Sequence, residues 1–179
     1  MILGPKTLLK LVKDKKLLEG LSERELTNPE GTGFDLRLGE VFRISGDAFI
    51  GETHRKTPDI TSVIAYQKGK KQSIKIAPGD FFLVKTIEKI NLPINLSAVI
   101  LPRTTTFRSG LFLRTGPIQP GYSGELTFGL KNEGPVKVEI EMGARFAHVI
   151  FHEIRGEGSK YRGQWQGGRV SATRREKQV

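Results

Sequence analysis

From Phe34 onward the chain is a succession of short alternating apolar runs, each closed by Gly, Pro or Asn. No other feature restricts its fold so tightly. "FDLRLGEVFRI", "SIKIAPGDFFLVKTIEKINLP", "LSAVILP", "SGLFLRTG", "GELTFGLKN", "VKVEIEMG" and "RFAHVIFHEI" follow one another, closely spaced after the interval 45–72 that separates the first two. A period of two puts successive side chains on opposite faces of a strand. Strands this short and closely spaced, with turn residues between them, specify an antiparallel barrel or jelly roll. Only "GPKTLLKLVKDKKLLEG" reads as a helix, with Pro5 near its start, Leu8, Leu11 and Val12 on one side and Gly20 as its end. "LSERELTNPEGTG" is a polar connection with room for a short helical turn. No repeat, long linker or second domain interrupts the series. The expected division is a β domain with its N-terminal helix over residues 1–155 and a tail over 156–179.

A chain of 179 residues with 37% hydrophobic residues is long enough to bury a single core. The absence of cysteine excludes disulfides, thiolate metal sites and a cysteine nucleophile. Lysines are spread along Met1–Gly20 rather than placed before an apolar run, which is not the pattern of a signal peptide. No apolar run approaches the roughly 18 residues of a membrane helix, and the expected location is the cytoplasm. His148 and His152 stand four apart, but "ARFAHVIFHEI" alternates like a strand, so ordinary strand positions are favoured over a metal site.

A formal charge of +10 calls for an anionic partner. Nucleic acid, a small polyanion drawn in by the field, and a merely solvated face all remain open on charge alone. "KGKK" (Lys68 to Lys71) reads as a solvated hairpin tip, since Gly69 marks a turn.

Three segments carry chemistry. "LPRTTTFRSG" gathers Arg103, Thr104, Thr105 and Arg108 after a strand-ending Pro102. Guanidinium forks and hydroxyls are natural donors to phosphate oxygens, although surface arginines at a strand-to-helix corner account for the stretch equally well. "GPIQPGYSGELTFGLKNEG" reads as strand, Gly-rich turn and second strand, and Gly121 and Gly124 permit close backbone approach. The tail, "RGEGSKYRGQWQGGRVSATRREKQV", has five glycines and almost no aliphatic residues, so it cannot be a core strand. Its Tyr161 and Trp165 lie among donors such as Lys160, Arg162 and Gln164, a composition that suits closure over a base and phosphates better than fraying.

Taken in order, these residues resemble the dUTPase / dCTP deaminase superfamily. "GTGFDLRLG" is similar to its first motif and "PRTTTFRSGL" to its Arg-Ser-Ser-x-Ala-Arg-x-Gly-Leu motif. "GPIQPGYSGELTFGLKN" is similar to the nucleoside hairpin, "GARFAHVIF" to the fourth motif and "KYRGQWQGGRVSATR" to the closing one. The opening "MIL" with its helix and the Lys-Tyr-Arg-Gly-Gln tail lean towards the dCTP deaminase-like branch. The resemblance implies a mainly β fold, a distorted jelly-roll or β-clip barrel with a short N-terminal helix. It also implies a homotrimer with sites between subunits, each taking dUTP or dCTP with Mg²⁺ carried on the substrate phosphates. Carried over, Arg103, Thr105 and Arg108 hold phosphates, and Thr104 and Arg108 stand near the reacting atoms. The backbone of Ile118 and Gln119 reads the pyrimidine, and Tyr122 packs under the deoxyribose. Lys160, Tyr161 and Gln164 close over the site.

Both family carboxylates are replaced. Gln119 stands where dUTPases carry the water-activating aspartate, and Gly129 where dCTP deaminases carry a glutamate. Glutamine can orient water but cannot take its proton near neutral pH. Phe107 replaces a small alanine. Glu125, Asp35 and Glu133 are the carboxylates that could stand in, although Asp35 reads equally well as a strand-end cap for neighbouring amides. Glu125 is four strand positions from Gly129, about 13 Å, too far for a simple exchange. Loss of the glutamate weighs against deamination, whereas α–β phosphate hydrolysis depends more on charge stabilisation than on a base at the ring. The expectation is therefore a dUTP diphosphatase, with Thr104, Arg108 and Gln119 as catalytic candidates. dCTP deamination comes second, and a nucleotide-binding trimer without turnover is a third reading. Binding of DNA or RNA ranks last, because the motif order already accounts for the arginines.

Overall fold

The computed structural model describes residues 1–178. Three helices, α1 (Pro5–Lys15), α2 (Glu23–Thr27) and α3 (Thr104–Arg108), accompany thirteen strands. The first seven strands are β1 (Leu18–Glu19), β2 (Gly33–Ser45), β3 (Phe49–Ile50), β4 (His54–Lys56), β5 (Asp59–Ala65), β6 (Ser73–Ile76) and β7 (Phe81–Asn91). The others are β8 (Leu96–Pro102), β9 (Leu111–Arg114), β10 (Ser123–Asn132), β11 (Val138–Glu141), β12 (Arg145–Glu153) and β13 (Glu176–Lys177).

The main sheet runs β8-β12-β2-β7-β10-β9 in antiparallel order, with β1 added on β7 and β5 on β2. β2 organises it. Its first half pairs with β12, from Gly33↔Ile150 to Arg37↔Arg145, and its second half lies between β7 and β5. Phe34, Asp35 and Leu36 are consecutively buried, so this end of β2 is covered on both faces and the alternation seen later in the strand is lost. β7 and β10 keep strict alternation, and their inward Phe82, Val84, Ile90, Leu126, Phe128 and Leu130 join Phe34, Leu36 and Phe151 in one core. Asn132, fully buried at the end of β10, donates to the carbonyls of Ile76 (2.9 Å) and Val136 (2.8 Å) and accepts from the amide of Gly134 (3.0 Å). Three backbone groups are tied together by that one side chain.

Three local expectations change. The first helix stops at Lys15 instead of running to Gly20: Lys16 turns left-handed at φ 52° and donates its amide to Leu11. Leu17 and Leu18 extend the apolar pattern but are buried outside the helix, the second paired with Ile90 on β7. The KGKK turn is exposed as expected, yet it is not the tip of a hairpin, because β5 pairs with β2 and β6 with β11. The first arm of "GPIQPGYSG" is not a strand. It contacts β8 only at Ile118, between Pro117 and Pro120, which have no amide to give a ladder.

Candidate active site

Two assemblies of expected site residues emerge, and they are separate within one chain. The first surrounds Asp35. This carboxylate is 6% exposed and faces β12 and α3. His148 Nδ1 lies 2.9 Å from its Oδ1, while Arg103 Nε (3.0 Å) and Arg145 Nη1 (2.9 Å) reach its Oδ2. The side chain therefore gathers cations and does not cap strand-end amides. Its own amide instead donates to Glu25 Oε2 at 2.9 Å, and Glu25 is only 1% exposed on α2. Burial alone would push the Asp35 carboxyl up, but the His148 contact together with Arg103 and Arg145 outweighs it and holds the group below its ordinary value.

Arg103 caps α3, whose Thr104, Thr105 and Arg108 are exposed while Thr106 is buried and donates to the Phe146 carbonyl at 2.7 Å. That single buried hydroxyl explains the run of three threonines. The middle of the helix is fastened to β12, and the flanking hydroxyls face outward. Phe107, at 50% exposed, is a large apolar side chain beside them.

The second assembly is a cavity of about 500 Å³. Its walls are mostly apolar: Phe81 and Leu83 from β7, Phe128 from β10, and Tyr161 and Trp165 from the tail. Ile118, Gln119 and Tyr122 form one side, and none of Arg103, Thr104, Thr105 and Arg108 reaches it. Both backbone groups of Ile118 are already engaged by Ala98, at 2.8 and 3.1 Å, and the Gln119 carbonyl accepts from the Tyr122 amide at 3.2 Å, so of these two residues the Gln119 amide is left to read a ligand. Tyr122 is 8% exposed, and its hydroxyl donates to the Glu125 carbonyl at 2.7 Å. Burial of the ring pushes its phenol up to about 12.

The tail is docked on its own chain. The Tyr161 amide donates to the Pro120 carbonyl (2.6 Å) and that of Gly167 to Ser123 (2.7 Å), and Tyr161 meets Tyr122 edge-on with ring centroids 5.4 Å apart. Lys160 packs over Gly121, where an added Cβ would stand 2.7 Å from its Cγ. Gly124, at φ 144°, lies against the Gly167–Gly168 backbone so closely that no side chain fits between them. Gln164 turns away from the cavity to Arg55 and Glu176, Arg169 pairs with Glu176, and β13 joins β4. Ala172 is fully buried. Val179 lies outside the described residues.

Gly129 has a neighbour that sequence reasoning missed. A Cβ there would meet Phe81 Cζ at 3.1 Å and Arg114 Cβ at 3.4 Å. No signal in the sequence pairs Phe81 with Gly129; the contact depends on the β7–β10 register, which sets Leu83 opposite Gly129. Glu133 lies on the same side of the sheet, bonded to Arg114 at 3.3 Å. Glu125 is taken up against Gly168 of the tail.

This mainly β, nearly closed barrel-like sheet is the fold of the dUTPase / dCTP deaminase superfamily. Residues 2–154 match the dCTP deaminase-like family, and the chain belongs to it. It is 29% identical to the dUMP-forming dCTP deaminase of Dictyoglomus turgidum, over 92% of this chain and 91% of that one. It is 27% identical to the deoxyuridine 5'-triphosphate nucleotidohydrolase of Methanocaldococcus jannaschii, over 93% of this chain and 99% of that one. The crystal structure of 2'-deoxycytidine 5'-triphosphate deaminase from Agrobacterium tumefaciens shares the fold, with a TM-score of 0.65 at 19% identity. The match covers 84% of this chain and 48% of that one, so the present chain spans about half of its length.

Proposed function

We propose that the protein hydrolyses a deoxypyrimidine nucleoside triphosphate, with dUTP converted to dUMP and pyrophosphate as the main reaction. The observation that carries this reading is that position 129 offers no carboxylate, with the Phe81 ring 3.1 Å from where its Cβ would stand, while an apolar cavity persists beside Gln119. Water adds to the α-phosphorus, the bond to the bridging oxygen breaks, pyrophosphate leaves, and the proton of the attacking water passes to solvent. Gln119 orients the water, and Thr104 and Arg108 stabilise the charge that develops. Arg103 and Thr105 hold phosphate oxygens, Ile118 and Tyr122 flank the nucleoside, and Lys160 and Tyr161 act from the tail, with Gln164 joining them only on release from Arg55 and Glu176. The support for these roles is the exposure of the α3 hydroxyls and the docking of residues 160–168 on the hairpin.

Mg²⁺ enters with the substrate. The nucleotide phosphates carry it, where it would offset their charge. α3 does not reach the cavity of its own chain, which supports a homotrimer in which the arginines of one copy face the cavity of the next. Residues 156–179 then serve as a closing tail on the 1–155 domain. No helix of the described residues is long and apolar enough to cross a membrane, and we place the enzyme in the cytoplasm.

Deamination of dCTP is the second reading, favoured by the name of the Dictyoglomus relative. The deciding experiment incubates pure protein with Mg²⁺ and either dUTP or dCTP and separates products by ion exchange. dUMP and pyrophosphate from dUTP are expected. Uridine nucleotides from dCTP alone would sink the hydrolase reading, and binding without turnover would reduce the protein to a nucleotide-binding trimer.

A further inference from the structure

Asp35 Oδ2 has three guanidinium groups around it, drawn from distant parts of the chain. Arg103 and Arg145 touch it at 3.0 and 2.9 Å, and Arg24 Nη1 from α2 stands at 3.7 Å. Glu25, next to Arg24, bonds to that arginine and lies 3.9 Å from Arg145. Three guanidinium charges thus face two buried carboxylates, and the third carboxylate that balances them, Glu30, is the exposed one.

The arginines are not consumed by this pairing. Arg24, Arg103 and Arg145 are 35%, 29% and 31% exposed, whereas Asp35 and Glu25 are 8% and 1% exposed. The carboxylates hold the guanidinium groups from beneath, and the outer edges meet solvent. An arginine has five N–H donors. Among the described residues, Arg103 gives only its Nε to a side chain, and Arg145 only its Nη1. The one other claim on an outer edge comes from Glu30, 79% exposed, which takes Arg24 Nη2 at 2.7 Å. Thr104 and Thr105 are exposed next to Arg103. Such a surface matches a group with many anionic oxygens and offers little to a neutral ligand.

We propose that Arg24 and Arg145 join Arg103 in a polyphosphate-binding site, with buried Glu25 and Asp35 as the positioning residues that preset the three guanidinium groups. The ligand is an inorganic or nucleotide-borne chain of phosphates. That it is the β- and γ-phosphates of a nucleotide rests on the function proposed above; the site itself does not. Glu30 occupies one edge of Arg24 in the absence of ligand and leaves when phosphate arrives.

The test titrates inorganic tripolyphosphate, dUTP and dUMP into the full chain by calorimetry, using wild type, Arg24→Gln and Glu30→Gln, with Lys6→Gln as a control for loss of one charge. Loss of a charged donor is expected to weaken tripolyphosphate and dUTP about tenfold or more in Arg24→Gln and to leave dUMP unchanged. Lys6→Gln should stay near wild type, and Glu30→Gln should bind tripolyphosphate several-fold more tightly. Wild type that ignores millimolar tripolyphosphate overturns the site, and so does a folded Arg24→Gln that binds it as well as wild type or Lys6→Gln. Should Arg24→Gln fail to fold, Glu30→Gln decides, and unchanged affinity there overturns it. Arg24-dependent tripolyphosphate binding without dUTP binding would keep the site and sink the nucleotide reading; dUTP binding indifferent to Arg24 would do the reverse.

Discussion

The ring of Phe81, 37% exposed, lies 3.1 Å from the Cβ that Gly129 lacks, so a side chain there has to push the ring back by a few tenths of an ångström. Overfilling such a site typically costs about 1–3 kcal/mol. We predict that Gly129→Glu lowers stability by an amount in that range, measured by urea unfolding, and that Phe81→Ala in the same chain restores most of it. A double-mutant cycle gives the coupling, and additive effects would mean that Phe81 does not guard the position. The single substitution Gly129→Glu is expected to give no deamination of dCTP, because the ring must move first.

The cations around Asp35 imply a specific acid limb. Asp35 is held below its ordinary value of 3.8, so its ionised form is favoured in the folded chain. That stability is present above pH 3.8 and is lost as pH falls through the lower folded value. Glu88 has the opposite sign: burial raises it despite the Arg37 contact at 2.7 Å, so protonation on acidification favours the folded state. Melting temperatures measured from pH 6 to 3 should fall below pH 4 in wild type and in Glu88→Gln, and that limb should flatten in Asp35→Asn. The latter should also lose about 3 kcal/mol at neutral pH, since three arginines keep their positions around a neutral amide. An acid limb unchanged in Asp35→Asn would refute the assignment.

Gly124 and Gly168 meet backbone to backbone. Gly124→Ala therefore acts twice, through a φ of 144° and through a methyl driven into the tail. We expect trypsin to cut at Arg162 and Arg169 much faster than in wild type, while the barrel stays intact by circular dichroism. Equal cleavage rates would mean that the tail does not depend on this contact.

Tyr122 can be followed directly. With its phenol raised to about 12, absorbance at the phenolate band should still climb above pH 11 in wild type, and Tyr122→Phe should lack that late phase. A late phase that persists in the variant belongs to another group.

The strands are legible in the sequence because β7 and β10 alternate and end on Asn. Apolar pattern and backbone conformation part at Lys16, Leu17 and Leu18, and there the helix ends earlier than the pattern implies. The turn at Gly69 is legible but its neighbours are not, because pairing is decided by strands far along the chain. In the site, the arginine-threonine run, the Gly-rich turn and the tail are visible as segments. Glu25 is not, since a glutamate in a polar connection ordinarily faces water, and only the fold reveals that it lies beneath Arg24 and Arg145. Phe81 is invisible for the same reason: its meaning is a register.

The position of β2 has a consequence for how the chain is made. Residues 33–37 emerge early from a ribosome, yet their partner strand spans residues 145–153. Until then that edge of β2 has no ladder, and half-made chains present an unpaired, apolar strand to one another. Synthesis, and not only sequence, then sets the yield: slow translation between β2 and β12 should raise aggregation, and the barrel should close only once β12 has been made.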